Sequence, residues 1–512
     1  MQPFTPMVHI DQAVHWLRGL GCTALRTDSR AVQPGDAFLA WPGAAHDARA
    51  YIPSALQAGA QACLFDPEGA PPDLLALAAS TPTLAAFAGL KAASGPMADA
   101  FYGHPSQHLR VLAVTGTNGK TSTAWWLAQA LSNKKLPAHF RTGFVGTLGM
   151  GEVPHLEPTG LTTPDPVRLQ ATLADWVARG FGACAMEASS IGLTEHRMAG
   201  VRVHTALFTN LTQDHLDYHG SMAAYGHAKA ALFDAPGLRA AVVNIDDAWG
   251  AALAQTLCQR RELALWTVGL GPSARLRALD VHHGAQGLSF TVAEGAQTLR
   301  LSTPLVGDYN VNNLLGVIAG LRSLGWPLSD AVATCAALSP VPGRLQTLSL
   351  PDAPLVVVDY AHTPDALAQV LQALRPLAQA RGGRLWCVFG CGGDRDPSKR
   401  PLMGAIAAGR ADAVIVTSDN PRSEPPQAII DQILCGIPSH AAPVQQQVDR
   451  AVAIEQALTL AAAADVVLIA GKGHEDYQDI MGRRTPFSDL AQAQAALAKR
   501  TPAPCAQRPP AP

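Results

Sequence analysis

No uninterrupted apolar run in this 512-residue chain reaches membrane-spanning length. The most apolar tract, near Ala457 to Gly471, is broken by Asp465, so no transmembrane segment is expected. The start, MQPFTPMVHIDQAVHWLRGL, has neither the basic n-region nor the long apolar h-region of a secretory signal. Neither sign of charge is in excess. The 38 Lys+Arg against 40 Asp+Glu leave a formal net charge of −2, which gives no electrostatic case for nucleic acid or an anionic membrane as main partner. The nine cysteines are scattered and contain no C-x-x-C. The closest pair, Cys387 and Cys391, reads as isolated buried thiols rather than metal ligands. A reduced, cytoplasmic protein is expected.

What is present is core-forming material: 48% hydrophobic residues against 15% charged. The length is a prior for about three domains. The densest chemical signal is VLAVTGTNGKTS, Val111 to Ser122. An apolar run ends in a glycine-rich turn carrying Lys120 and Thr121, and the helix-like AWWLAQAL follows. Backbone N–H groups of such a turn and of a helix N-terminus face an anion. Lys120 supplies a point charge for terminal phosphates, and the Thr121 hydroxyl suits Mg²⁺. Val114 stands where the first Gly of G-x-x-x-x-G-K-[ST] belongs. The competing reading is an ordinary strand–turn–helix corner, but strand and helix context both favour a triphosphate site.

Three compositional blocks follow along the chain. Residues 1–108 read as a small α/β unit, with turn chemistry at Pro34-Gly35 and a short apolar run at Ala62–Phe65. Residues 109–343 open with the phosphate loop and alternate helical segments with candidate strands Ala183–Met186, Thr205–Thr209, Ala240–Asn244 and Leu263–Val268. Residues 344–500 repeat the alternation with Leu355–Asp359, Leu385–Phe389, Ala413–Thr417 and Val466–Ala470. Short apolar runs separated by helices predict parallel, doubly wound sheets with ligands at the strand C-termini. The tail, 501–512, is Pro/Ala-rich and is expected to be disordered.

Polar clusters sit where these strands end. Glu187 follows FGACAM, where a carboxylate suits Mg²⁺ and a helix cap is the alternative. His215 lies among acids in NLTQDHLD and suits a second cation, although a lone His is more often structural. Lys229 in YGHAK, read alone, is a solvated surface lysine. GCGGDRD, SDNPR and GKGHE follow three strands of the last block and bring Arg395, Arg422 and Glu475 toward one edge. Arginine forks suit carboxylates and an acid suits an ammonium, the needs of a zwitterionic amino acid.

With TGTNGKTS, TTPDP, MEASS, NLTQDHLDYH, YGHAK, GDYNVNN, VPGRLQ, DYAHTPDAL, FGCGGDRDPSKRPLMG, SDNPRSE and GKGHEDYQ in this order, residues 25 to 495 resemble the Mur ligases. These are ATP-dependent amide ligases of cell-wall precursor synthesis. The resemblance implies an α/β protein of three domains: UDP-substrate-binding, central ATP-binding with a P-loop-like parallel sheet, and a Rossmann-like C-terminal domain for the amino acid. It implies ATP and Mg²⁺ as cofactors. ATP would contact Gly116, Thr117, Asn118, Gly119, Lys120, Thr121 and Ser122, with Asn310, Asn313, Arg344, Asp359 and His362 also on the nucleotide side. Thr121, Glu187, His215 and Lys229 match the metal positions, Lys229 as the carbamylated N6-carboxylysine; Lys120, His215 and Lys229 are the implied catalytic set.

Ser29, Thr162, Thr163, Ser189, Glu195 and Arg197 match positions that hold UDP-N-acetylmuramoyl-L-Ala-D-Glu. Asp419, Asn420, Pro421 and Arg422 resemble the signature for meso-diaminopimelate as opposed to L-lysine. Arg395, Gly471 and Glu475 match the other contacts to that amino acid. Three departures stand out: AAHDAR after Gly43, Ile191 in place of a common His, and Glu195 where some relatives have Gln. A monomer is expected.

Overall fold

A computed structural model describes residues 6–43, 46–133, 140–284, 287–438 and 443–500. The tail 501–512, and Ala44 and Ala45 of the loop after Gly43, lie outside the described residues. The chain forms two compact units. The first holds the residues through Arg277 with Ala293–Gln297 and Asn312–Cys335; the second holds Ala278–Val292, Thr298–Val311 and the residues from Ala336 on.

The first unit begins with a parallel sheet of β1 (Ala24–Arg26), β2 (Asp36–Ala40), β3 (Ala62–Phe65) and β4 (Leu84–Ala86), in that order. Both faces are covered, so β2 and β3 are buried along their whole length and, apart from Asp36 at the start of β2, apolar rather than alternating. Ala37, Leu39 and Leu64 meet the helices Ile10–Gly19 and Leu90–Phe101. Phe38, Ala40, Cys63 and Phe65 meet Ile52–Gln57 and Pro72–Ser80.

The central strands of the same unit are β5 (Arg110–Thr115), β6 (Thr142–Gly146), β7 (Gly149–Glu152), β8 (His155–Glu157), β9 (Ala183–Glu187), β10 (Thr205–Phe208), β11 (Ala240–Asn244) and β12 (Ala264–Gly269). They lie in the order β12-β11-β10-β5-β9-β6-β7-β8. β12 through β6 are parallel, and β7 and β8 add an antiparallel edge. β5 and β9 are neighbours in register, so the loop after Thr115 and the carboxylate of Glu187 emerge side by side at the strand C-termini. β10, on the other side of β5, delivers Thr209 and Asn210 to the same edge. A meander follows, β13 (Leu276–Gly284), β14 (Gly287–Glu294) and β15 (Gln297–Thr303), half-exposed and alternating.

The second unit carries β16 (Gln346–Leu348), β17 (Leu355–Asp359), β18 (Leu385–Phe389), β19 (Ala413–Thr417), β20 (Val444–Gln447) and β21 (Val466–Ala470), ordered β16-β17-β21-β18-β19-β20. All pairs but β16–β17 are parallel. Alternate residues feed two cores. Val357, Cys387, Val416 and Leu468 pack under the helices Pro364–Ala380, Lys399–Arg410 and Pro426–Leu434. Val356, Val388, Ile415 and Ile469 pack under Arg450–Leu460 and Asp489–Lys499. This is the doubly wound sheet expected from the sequence, buried on both faces. A hairpin of β22 (Tyr477–Ile480) and β23 (Arg483–Pro486) follows β21.

Candidate active site

The first cluster grows from the end of β5. Val114 is a fully buried strand residue, which is why no glycine stands there. The turn begins two residues later. Gly116 has φ +145°, and a Cβ on it would lie 1.9 Å from Thr209 Oγ1; Gly119 has φ +82°, with Asn313 Oδ1 at 2.3 Å from its Cβ position. Neither position accepts a side chain without rearrangement. Residues after β10 clamp the loop from outside. Thr209 Oγ1 donates to Asn118 O (2.6 Å), Asn118 N–H donates to Asn210 Oδ1 (2.9 Å), and Thr117 Oγ1 donates to Thr212 O (3.1 Å). Helix Lys120–Leu131 starts directly behind the loop. Pre-formed amides at a helix N-terminus make an anion cradle.

Two lysines converge on one carbonyl. Lys120 Nζ donates to Gly116 O (2.8 Å) and Thr117 O (2.7 Å), and Lys229 Nζ donates to Gly116 O (2.7 Å). Lys229 is only 1% exposed, which corrects the surface-lysine reading of its local sequence. The helix Met222–Ala230 turns Tyr225, Gly226 and Lys229 inward, and Gly226 lets Trp249 pack directly on its backbone. Burial, then the Lys120 charge, pushes the Lys229 amine down to about 6, against the weaker opposing pull of Asp214. The shift favours the uncharged amine at neutral pH.

Glu187 completes the opposite wall. Its Oε2 accepts from Thr121 Oγ1 (2.9 Å) and its Oε1 from Thr147 N–H (2.8 Å). The cap of the next helix, Ser190–Thr194, is Ser189, whose Oγ accepts from Gly192 N–H. That removes the capping alternative for Glu187. Thr121 and Glu187 offer hard oxygen donors, a set that fits Mg²⁺. His215 is half-exposed at φ +51°, beside Asp214 at 3.4 Å. Among the described residues, no three His, Cys, Asp or Glu side chains converge as a ready-made metal cage.

A polar layer extends from Glu187. Thr163 Oγ1 donates to Glu187 O (2.9 Å) and lies 3.2 Å from Ser189 Oγ; Thr162 lies 3.0 Å from Thr147. Arg197 donates to Thr163 O (3.2 Å), and Glu195 accepts from Lys91 (2.6 Å) and Tyr218 OH (2.5 Å). Lys91 and Tyr218 hold the Glu195 carboxyl below its usual range. Ser29 sits in the turn Ser29–Ala31, two residues from Thr27, whose side chain bonds Asp165. A cavity of about 350 Å³ adjoins this layer, lined by Trp41, Pro42, Asp66, Lys91, Thr194 and His196 among others.

The second unit has its own cluster. Asp359 at the end of β17 is buried, and its carboxylate accepts from Leu345 N–H (2.7 Å) and Ala361 N–H (2.8 Å). Burial raises its pKa against the pull of Arg344, whose guanidinium lies 4.8 Å from the Tyr360 ring. His362 is held below its usual range by burial, and Asn310 donates to Val306 O (2.7 Å).

After β18, β19 and β21, the three expected loops do meet. Asn420 Nδ2 donates to Glu475 Oε2 (2.7 Å). Arg422 Nη1 donates to Gly393 O (2.6 Å), and a Cβ on Gly392 would lie 2.9 Å from Arg422 Nη1 and 3.8 Å from Arg395 Cγ. Gly471, at φ +120°, places Asp419 Oδ2 2.3 Å from its Cβ position. Arg422 itself holds φ +51°, its N–H donating to Asp479 O and its carbonyl accepting from Met481 N–H in the hairpin.

Sequence reasoning missed four kinds of partner here: the clamp residues Thr209 and Thr212, Thr147 on Glu187, the buried Lys472, and the ion pair Arg450–Asp489. Thr209, Thr212 and Lys472 lie inside or beside a motif already singled out, whereas Thr147, Arg450 and Asp489 lie outside every such motif; the role of each depends on the fold.

The chain matches the family model for the Mur ligase middle domain over residues 114–321, and that for the Mur ligase, glutamate ligase domain over residues 343–473. It is 60% identical over 503 residues to the UDP-N-acetylmuramoyl-L-alanyl-D-glutamate--2,6-diaminopimelate ligase of Acidovorax sp. (strain JS42), covering 98% of this chain and 99% of that one. To the ligase of the same name from Pseudomonas aeruginosa it is 48% identical over 485 residues, covering 94% and 96%. A solved structure of a ligase so named matches at TM-score 0.68 and 35% identity, covering 93% of this chain and 95% of that one. On likeness of this extent, joined to the phosphate loop and the strand-end clusters above, the chain belongs to the Mur ligase family.

Proposed function

We propose that this chain is an ATP-dependent amide ligase. It joins meso-2,6-diaminopimelate to the D-Glu carboxylate of UDP-N-acetylmuramoyl-L-Ala-D-Glu during peptidoglycan precursor synthesis. The observation that carries this reading is the 60% identity, over nearly the full length of both chains, to a protein of that named activity. The cradle around Gly116 and Gly119 and the meeting of the loops that carry Arg395, Arg422 and Glu475 support it chemically. Membership of the UDP-substrate set, the nucleotide set and the metal set is part of the same proposal. So are the three domains at 1–108, 109–343 and 344–500, a monomeric state and a cytoplasmic location. No helix among the described residues is long and apolar enough to cross a membrane.

A free carboxylate is a poor electrophile, so amide formation in water needs activation. The γ-phosphoryl group of ATP passes to the D-Glu carboxylate, giving an acyl phosphate and ADP. The uncharged amine of diaminopimelate then attacks the carbonyl, the C–N bond forms, and phosphate leaves as the amine sheds a proton. Lys120 and the loop amides neutralise and align the transferring group. Thr121 and Glu187 would hold Mg²⁺, which when bound supplies charge stabilisation to the phosphates. A neutral buried amine at Lys229 is the form that adds CO₂, releasing a proton and leaving an anionic oxygen donor. That chemistry supports the N6-carboxylysine reading. His215, from the opposite loop, belongs to the same proposed set.

Purified chain with Mg²⁺ should release phosphate only when ATP, the UDP-linked dipeptide and diaminopimelate are all present. Release indifferent to the amino acid, or no release with any amino acid, would overturn the reading.

A further inference from the structure

Lys472 opens the third loop of the amino-acid cluster and is completely buried, with 0% side-chain exposure. A buried ammonium persists only when charges and hydrogen bonds compensate its desolvation. Here Lys472 Nζ lies 2.9 Å from Asn420 Oδ1, 3.2 Å from Glu475 Oε2 and 4.0 Å from Asp419 Oδ1. The same Glu475 oxygen accepts from Asn420 Nδ2, and Asn420 Oδ1 also accepts from Asp479 N–H at 3.0 Å. Glu475 Oε2 is therefore held from two sides, and the carboxylate stays partly exposed at 19%. Asp419 and Glu475 carry two negative charges, of which Lys472 cancels one. The neighbouring cation, Arg450, is already matched by Asp489 at 2.7 Å, both at 0% exposure; its other bonds go to the Ser418 and Ala470 carbonyls.

We propose that Lys472 is a positioning residue of the amino-acid site. It locks Glu475 through one oxygen so that the other faces the ligand, and it leaves the acidic pair with one net negative charge. One negative charge matches one ammonium of the incoming amino acid, while Arg395 and Arg422 remain for carboxylate. Without Lys472, two adjacent acids would share the pocket while the nearby buried Arg450 is already neutralised by Asp489, and among the described residues Asn420 would be left to orient Glu475.

This inference rests on reading the three loops as the amino-acid site, and the test separates the two. Wild-type enzyme whose turnover does not depend on diaminopimelate would sink that reading. If the dependence holds, Lys472→Met should raise the KM for diaminopimelate at least about tenfold, with the KM for ATP and for the UDP-linked dipeptide unchanged within about twofold. Unaltered KM for diaminopimelate in a folded Lys472→Met variant would overturn the inference. So would equal losses for all three substrates, the mark of a merely structural lysine.

Because Lys472→Met strands a partly buried carboxylate, the double variant Lys472→Met/Glu475→Gln provides a second measurement that does not need the single variant to fold. If Lys472 acts through Glu475, the double variant, in which Asp419 alone supplies the one negative charge, binds diaminopimelate no more weakly than Glu475→Gln does alone. A further tenfold loss in the double variant would show that Lys472 acts independently, contradicting the proposal.

Discussion

Lys229 shows what a single residue owes to its surroundings. In sequence it is one lysine in an alanine-rich segment, and nothing local says that it is buried. Its burial comes from Gly226, which admits the Trp249 ring against the helix, and from Tyr225, whose ring lies 4.2 Å from Nζ. Those contacts are tertiary, so only the resemblance to known ligases pointed to the residue. Its depressed pKa has a stability consequence with a definite sign. Between about 6 and the ordinary value of 10.5, the unfolded chain binds a proton at Lys229 that the folded chain does not. Lys229 therefore costs stability at low pH, and this cost fades as pH rises through that window. In CO₂-free buffer, urea denaturation should show stability rising with pH more steeply for wild type than for Lys229→Met. Equal slopes would contradict the burial account. For activity, Lys229→Ala should lose at least about a hundredfold in kcat, and added bicarbonate should not restore it.

Elements were legible where the sheet is buried on both faces. The apolar runs at Ala62–Phe65, Ala183–Met186, Ala240–Asn244, Leu355–Asp359, Leu385–Phe389, Ala413–Thr417 and Val466–Ala470 all fall within observed strands. Sandwiching between helices forces continuous hydrophobicity, and that is a strong signal. Two buried parallel strands also escaped notice, β2 and β6, because Asp36 in one and Gly143 and Gly146 in the other break the apolar run. Others that escaped are short, half-exposed or antiparallel: β7 and β8 at one edge, the β13–β15 meander, and the β22–β23 hairpin. Their side chains alternate or are mostly polar, so composition alone resembles loop. The phosphate turn was read correctly as an element, although its first glycine is displaced to Gly116 because Val114 is needed in β5. Gly116→Ala tests that turn. With φ +145° and Thr209 Oγ1 in the way, it should destabilise the protein by about 1–3 kcal/mol and weaken ATP binding. Calorimetry would measure both; unchanged melting and unchanged ATP affinity would mean the turn is not the tight cradle described.

At the scale of the whole molecule, two kinds of chemistry have two places in the proposed function. The proposal gives phosphoryl transfer to the β5–β9–β10 edge of the first unit and amino-acid recognition to the β18–β19–β21 loops of the second. Sequence order made this division legible, because the phosphate loop, MEASS, NLTQDH, GCGGDRD, SDNPR and GKGHE each follow an apolar run that became a strand. What the sequence could not show is how the second set is charged and oriented inside. The fully buried Arg450–Asp489 pair and Lys472 look in sequence like ordinary polar residues, and only packing reveals them as the support beneath Asp419, Asn420 and Glu475.

The central claim is that these loops select diaminopimelate. The most direct measurement gives the enzyme ATP, Mg²⁺ and UDP-N-acetylmuramoyl-L-Ala-D-Glu with equal concentrations of meso-diaminopimelate and L-lysine, and reads the product by mass. The expected product is the diaminopimelate adduct almost alone. A product dominated by the lysine adduct would leave the ligase standing and contradict the assignment of Asp419–Arg422.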